Sequence, residues 1–171
     1  MEGPDAGAVR MSEVVIARIP PSPARRALAA GILGLLAALT LYAGLFRPEG
    51  EAVWRIVLIL IGTGAAMLTL SLWQATGRAL ELTETELREG GADGRVLADV
   101  SEIVSVDRGL FAFKPSNGFS ARLTSSQPRV WAPGLWWRSG RRLGVGGVLR
   151  GAETRAMADA LSAMIAERDR G

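Results

Sequence analysis

Ala27-Leu-Ala-Ala-Gly-Ile-Leu-Gly-Leu-Leu-Ala-Ala-Leu-Thr-Leu-Tyr-Ala-Gly-Leu-Phe46 is a run of 20 residues without a charge, and Ile56-Val-Leu-Ile-Leu-Ile-Gly-Thr-Gly-Ala-Ala-Met-Leu-Thr-Leu-Ser-Leu-Trp-Gln-Ala-Thr-Gly77 is a second run of 22. At 1.5 Å per residue each is long enough to cross a hydrocarbon core of about 30 Å. Neither run carries the polar stripe that a buried helix of a soluble protein normally shows. Both are therefore predicted to be transmembrane helices, spans 27–46 and 56–77, joined by the short polar segment Arg47–Arg55. Trp54 and Trp73 lie about 28 Å apart along the second helix, where interfacial aromatics belong. Tyr42 and Phe46 fall at the far end of the first helix, near Trp54.

Small residues recur at Ala30, Gly34 and Ala38 in the first run and at Gly62 and Ala66 in the second. Such spacing lets two backbones approach closely. The simplest partner for each small face is the other helix of the hairpin, and a foreign helix is the alternative. A secretory signal with Ala43 at its cleavage site is disfavoured, because the apolar run is too long, position 41 is a bulky Leu and a second run follows.

Outside the hairpin, arginines set the orientation. Arg10, Arg18, Arg25 and Arg26 precede the first run, whereas the connecting segment has only Arg47 and Arg55. The positive-inside bias predicts a cytoplasmic N-terminus, and two crossings return the chain to the cytoplasm at Arg78. Three regions follow: an N-terminal tail over 1–26, the hairpin over 27–77 and a cytoplasmic domain over 78–171. Met1–Ala8 is small, polar and aperiodic and is expected to be disordered. The β-branched run Val14–Arg18, closed by Pro20, Pro21 and Pro23, predicts a short strand. It either docks on the later sheet or belongs to an unstructured tail.

From residue 78 the pattern is that of short strands. Ala79–Thr83 alternates, Glu86–Glu89 and Arg95–Leu97 flank the turn cluster Gly90-Gly-Ala-Asp-Gly94, and Val100–Arg108 is a turn leading into a strand with Ile103, Val104 and Val106 as core positions. Leu110–Lys114 and Phe119–Leu123 are separated by Pro115-Ser-Asn-Gly118, and Arg129–Ala132 and Leu135–Val148 by Pro133-Gly134. From Ala152 to Arg168, Met157, Leu161, Met164 and Ile165 recur at helical spacing, and Arg155 is expected to face Asp159 at i,i+4.

Two apolar spans, a strand set ending in Trp136-Trp-Arg-Ser-Gly-Arg-Arg-Leu-Gly-Val-Gly-Gly147 and a C-terminal helix resemble the bacterial membrane proteins that carry a pleckstrin-homology-like domain. The stretches Lys114-Pro-Ser-Asn-Gly-Phe119 and Gly140–Gly147 resemble alphaproteobacterial chains of this type. The resemblance covers roughly residues 78–168 as an order of elements. It implies a membrane α-helical hairpin plus an α+β domain, with a PH-like antiparallel sheet or partly open barrel of about seven short strands capped by an amphipathic helix. It also implies membrane association or oligomerisation and carries over no catalytic motif.

Composition narrows the chemistry. The chain of 171 residues is 49% hydrophobic and contains no Cys and no His, so it cannot by itself build disulfides, Cys/His zinc sites, Cys nucleophiles or Ser/His/Asp triads. A carboxylate-only site remains open. The net charge is +3, and all but one of the 20 basic residues are Arg, the exception being Lys114. Gly144-Val-Gly-Gly-Val-Leu-Arg-Gly151 precedes a helix but lacks the third Gly of a dinucleotide fingerprint and the Gly-Lys-Ser/Thr of a phosphate loop. It is expected to be a twisted or bulged strand with close backbone approach. No catalytic residue, metal site or cofactor is expected.

Charge is segregated along the domain. Glu81, Glu84, Glu86, Glu89, Asp93, Asp99, Glu102 and Asp107 stand against only Arg88 and Arg95, whereas residues 108–150 hold eight basic residues and no acidic one. Either the two halves pair and neutralise each other across the sheet, or a basic face meets an anion, with Trp136, Trp137, Arg138, Arg141 and Arg142 as its densest patch. A domain tethered within a few residues of a bilayer reaches lipid headgroups or an acidic protein surface more easily than nucleic acid, and no small-molecule substrate is expected. Because the hairpin already holds the domain at the surface, recruitment by membrane lipids is redundant. The sequence thus favours a non-enzymatic accessory or scaffold subunit of a larger inner-membrane protein complex, or a self-associating one. An anionic-lipid headgroup-binding or membrane-organising module is the alternative.

Overall fold

A computed structural model describes residues 14–46, 52–90, 94–108 and 118–171. The expected disordered start, the expected strand at 110–114, the Pro115-Ser-Asn turn and most of the loop joining the two apolar runs lie outside these residues. Among the described residues there are seven strands in two antiparallel sheets, three α-helices and one short 3-10 turn over Val100–Glu102.

The chain opens with β1 (Val15–Ile19) and passes through Pro20–Ser22 into α1 (Pro23–Phe46), where Pro23 occupies the first helical position, whose N–H has no helical partner to lose. α2 (Ala52–Ala75) returns antiparallel to it. β2 (Leu80–Thr83), β3 (Glu86–Glu89) and β4 (Val96–Asp99) then complete the first sheet in the order β1-β2-β3-β4. β5 (Ile103–Asp107), β6 (Phe119–Ala132) and β7 (Trp136–Val145) form the second sheet in that order, and α3 (Gly151–Arg168) ends the fold. The two sheets do not close into a barrel.

The helical hairpin is thus inserted between two neighbouring strands of one sheet. Ile19, the last residue of β1, pairs with Leu80, the first of β2, so the chain leaves and re-enters the sheet at adjacent points. The junction is tied by further bonds. The Ser22 N–H donates to the Val148 carbonyl at 3.3 Å, Pro21 forms an isolated bridge with Leu149, and Arg25 Nη1 donates to the Leu149 carbonyl at 2.9 Å.

Within the hairpin the seam is small. Ala37 and Gly44 of α1 and Gly62 and Ala65 of α2 are the buried residues. A Cβ built on Gly62 would lie 2.6 Å from Leu41 Cγ and 2.8 Å from Thr40 Oγ1, and one on Gly44 would lie 2.9 Å from Ile59 Cγ1 and 3.2 Å from the Arg55 carbonyl. Gly34 faces Thr69, whose Cγ2 would make an ordinary van der Waals contact with a Cβ at 3.7 Å. Gly34 and Gly62 therefore both face the other helix, Ala30 and Ala66 are half-buried, and Ala38 is exposed. The contact follows 34, 37, 41, 44 on one side and 62, 65, 69 on the other, alternating steps of three and four. A strict four-residue spacing drifts around the helix by about 40° per step, which turns Ala38 out of the seam and puts Ala37 in it. Thr40 and Thr69 donate their hydroxyls to the carbonyls of Leu36 and Ala65, both at 2.8 Å, so these two hydroxyls are satisfied within their own helices.

The outer faces of the hairpin are different. In the most apolar stretch of α1 and of α2 only 11% and 6% of the residues are buried. Leu28, Ile32, Leu35 and Leu39 on one helix and Ile56, Leu60, Met67 and Leu70 on the other are exposed. Both helices are long and apolar enough to cross a membrane.

The domain core lies between the sheets and α3, which packs on β1, β5 and β6. Leu80, Leu82, Leu87, Leu97, Ile103, Phe119, Leu123, Trp136, Leu143, Met157 and Leu161 are at most 1% exposed, and each large side chain so buried contributes about 1.5–3 kcal/mol. Met157, Leu161 and Ile165 form the buried stripe of α3, with Met164 half-buried beside it. Ile103 is core, Val106 half-buried and Val104 exposed, because the β5 ladder shifts register between Ile103 and Ser105. Two expected strands, Phe119–Leu123 and Arg129–Ala132, are one continuous strand, β6, whose pairing with β7 is interrupted by two irregularities. The expected Arg155–Asp159 pair does not form; Asp159 takes Arg108, the residue after β5, and Arg155 Nε donates to the Gly151 carbonyl at 3.2 Å.

β2 is buried on both faces, unlike the half-exposed strand its alternation suggests. Arg18, Glu81 and Arg88 stand opposite one another across β1, β2 and β3, and both arginine Nε atoms lie 3.6 Å from the Glu81 carboxylate. Arg88 also pairs with Glu86 at 2.9 Å. At the β2–β3 turn the Thr83 hydroxyl accepts from the Glu86 N–H at 3.0 Å and donates to the Glu86 carbonyl at 3.1 Å, replacing ladder bonds that the turn lacks.

Candidate anion-binding surface

The β6–β7 hairpin carries the basic and aromatic residues. Its turn, Pro133–Leu135, has Gly134 at φ +74°, a conformation that suits glycine. The register runs Ala132↔Trp136, Trp131↔Trp137 and Val130↔Arg138. Side chains on a strand alternate between faces, so Trp136 and Trp137 part company at once.

Trp136 points inward. It is 1% exposed, and its Nε1 donates to Glu89 Oε1 at 2.5 Å while Arg78 Nη1 reaches Glu89 Oε2 at 3.4 Å. This residue joins the two sheets and is not available to a ligand. Trp137 is half-buried, and its indole lies across Gly144, where a Cβ would collide with the ring. Arg138 Nη1 donates to the Leu97 carbonyl at 2.5 Å, while its Nε is buried without a hydrogen-bond partner. Trp137 and Arg138 line a surface pocket of about 440 Å³ together with Arg129, Val130, Trp131 and Ser139. Trp131 is 62% exposed. Arg141 and Arg142 lie beyond Gly140, which adopts φ +57°, and are exposed outside the pocket. Arg142 instead stands directly opposite Arg122 on β6.

Of the five residues expected to form one patch, the structure therefore brings two together, turns one into the core and places two farther along β7. Arg129 and Trp131 are the additions. Their signal was the run Arg129-Val-Trp-Ala132 before Pro133-Gly134: a tight turn there pairs Trp131 with Trp137.

Electrostatically, the first sheet holds most of the ion pairs of the acidic half among the described residues. Glu81, Glu86 and Glu89 take Arg18, Arg78 and Arg88, all carried by β1–β3 or the chain leading into β2. Glu102 accepts from Ser125 at 2.7 Å and from Gln127 at 3.0 Å. Among the described residues Arg122, Arg129, Arg141 and Arg142 form no ion pair. No group of three or more Asp or Glu side chains that could hold a metal ion occurs among the described residues.

The turn of this hairpin meets the end of α2. A Cβ on Gly134 would lie 3.3 Å from Thr76 Cγ2 and 3.5 Å from Leu72 Cδ1. The turn is held in place from the other side by the glycine-rich run after β7: the Gly146 N–H donates to the Leu135 carbonyl and the Val148 N–H to the Gly134 carbonyl, each at 2.9 Å. Gly147, at φ +87°, passes so close to Gly134 that no side chain fits between them. Comparison with protein-family models, with curated proteins and with solved structures finds no match.

Proposed function

We propose that the chain is a non-enzymatic, membrane-anchored accessory or scaffold subunit of a larger bacterial inner-membrane complex. In this reading α1 and α2 both cross the bilayer, the two termini are cytoplasmic, and the sheet domain is PH-like. The observation that carries the proposal is the contrast within the hairpin: its seam is closed by small residues while its outer apolar faces are left uncovered. A soluble protein does not expose contiguous apolar surface of this extent. A signal-sequence reading is opposed by β1, which precedes α1 and is a paired strand of the sheet, so that removing α1 would remove it too.

Four strands, then three, then one helix in chain order support the PH-like reading. The seam is occupied by the hairpin itself, so a partner meets either the outer helix faces or the basic side of the domain. Extraction in a mild detergent tests the proposal. The chain is expected to migrate with other membrane proteins, or with further copies of itself, in a fixed ratio; a monodisperse single chain contradicts it.

A second reading, a module that binds anionic lipid headgroups, is favoured by one observation: the arginine- and tryptophan-lined hairpin turns against the end of α2.

A further inference from the structure

We propose that the pocket between Arg129, Trp131, Trp137 and Arg138 holds the phosphate of an anionic phospholipid from the leaflet in which α2 ends. This rests on the reading of α1 and α2 as membrane spans, and it gives the headgroup reading a site.

The position of the pocket comes from the turn. Gly134 packs against the last turn of α2, and Trp131 lies three residues before it, so at about 3.3–3.6 Å per residue its Cα is within about 11 Å of Gly134. The polar region of a bilayer is roughly 5–8 Å deep on each side, so the side chain of Trp131 is within reach of the headgroups of the leaflet in which α2 ends. A Trp that is 62% exposed at this level suits the interface, where its apolar ring and N–H each find a matching environment. Trp73 at the end of α2 is half-exposed at the same end of the hairpin.

The chemistry of the pocket fits a phosphodiester. Two guanidinium groups and no carboxylate line it, and arginine matches phosphate oxygens with paired N–H donors. Arg138 is held through Nη1 by the Leu97 carbonyl, and its Nε is a buried donor without a partner. A guanidinium fixed in this way costs little further ordering when an acceptor reaches its remaining N–H groups. Val130 and the two indoles supply the apolar surface against which the glycerol and upper acyl region can lie. Arg141 and Arg142 carry the same charge but lie outside the pocket, which separates a defined site from a general attraction to anionic surface.

The test uses the full chain in phosphatidylcholine nanodiscs containing a minor fraction of phosphatidylglycerol, with the lipid retained per protein measured by native mass spectrometry. The wild type is expected to enrich phosphatidylglycerol over its bulk fraction. Removing each pocket arginine weakens retention about fivefold, from about one basic contact each, so Arg129→Gln/Arg138→Gln loses the enrichment while Arg141→Gln/Arg142→Gln keeps it. Arg129→Gln and Trp131→Ala, both at exposed positions, give the same answer if the Arg138 variant does not fold. Equal loss in the Arg141/Arg142 variant, no loss in the Arg129 variants, or full displacement by inorganic phosphate overturns the lipid site. Failure of the chain to enter nanodiscs at all overturns the membrane reading and this proposal with it.

Discussion

The guanidinium carbon of Arg26 sits 3.9 Å from the ring centroid of Trp73, and Arg26 Nη2 donates to the Trp73 carbonyl at 2.6 Å. The first turn of α1 thereby closes the C-terminal end of α2, where backbone carbonyls lack helical partners and a positive charge is favoured. Arg25, one residue earlier, holds the sheet domain through Leu149. The double arginine therefore couples both helices to the domain. Arg26→Ala is expected to lower unfolding stability in detergent by about 2 kcal/mol, the sum of a charged hydrogen bond and an exposed cation–π contact. Trp73→Ala leaves the carbonyl in place, so a double-mutant cycle should give a coupling of only about 0.5–1 kcal/mol.

Gly62 and Gly34 were both expected to permit close helix approach, yet their surroundings differ. Gly62→Ala puts a methyl group 2.6 Å from Leu41 Cγ and 2.8 Å from Thr40 Oγ1 and should cost about 1–3 kcal/mol by overpacking. Gly34→Ala puts its methyl group 3.7 Å from Thr69 Cγ2, an ordinary van der Waals contact, and should be neutral or gain up to about 1 kcal/mol in helix propensity. Thermal unfolding of the two variants in the same detergent checks the contrast.

Trp136→Phe keeps most of the buried ring but removes the N–H that Glu89 accepts. The buried carboxylate then depends on Arg78 alone among the described partners, and a loss of about 1.5–3 kcal/mol is expected. Arg141→Ala and Arg142→Ala, both exposed, should each stay within about 0.5 kcal/mol of the wild type. Denaturant titration followed by near-ultraviolet circular dichroism distinguishes the two classes.

The segment 78–171 on its own lacks β1, and with it the strand that pairs along β2 and buries Ile19. It leaves an unpaired edge beside Leu80 and Leu82, and it is expected to aggregate. Joining residues 14–22 to residue 78 through a short flexible linker should restore a soluble, cooperatively unfolding domain. Soluble monomeric behaviour of 78–171 alone would contradict the assignment of β1 to this sheet.

Much of the hairpin was legible because charge-free runs of 20 and 22 residues predict two long apolar helices, and α1 and α2 are such helices. The seam was legible in composition but not in phase, since Ala38 and Ala37 differ only by the drift of the helix repeat. In the domain, short alternating runs marked β2, β3, β5 and β7, and α3 followed from its apolar period. Three features depended on tertiary partners that local patterns do not encode: the union of two runs into β6, the double burial of β2 around Glu81, and the insertion of the hairpin between β1 and β2. The candidate surface shows the same limit. Consecutive Trp136 and Trp137 read as one patch in sequence, whereas a strand sends them to opposite faces, and Trp131 enters the site only through the register that the Pro133-Gly134 turn sets.

The most direct test of the central claim, a membrane hairpin with the domain on one side, exploits the absence of cysteine from the chain. Single cysteines are introduced by Ser12→Cys, Glu49→Cys and Asp169→Cys and treated in intact spheroplasts with a membrane-impermeant maleimide. Position 49 is expected to label from outside, while positions 12 and 169 label only after permeabilisation. Equal labelling at all three positions, or recovery of the chain in the soluble fraction, would contradict it.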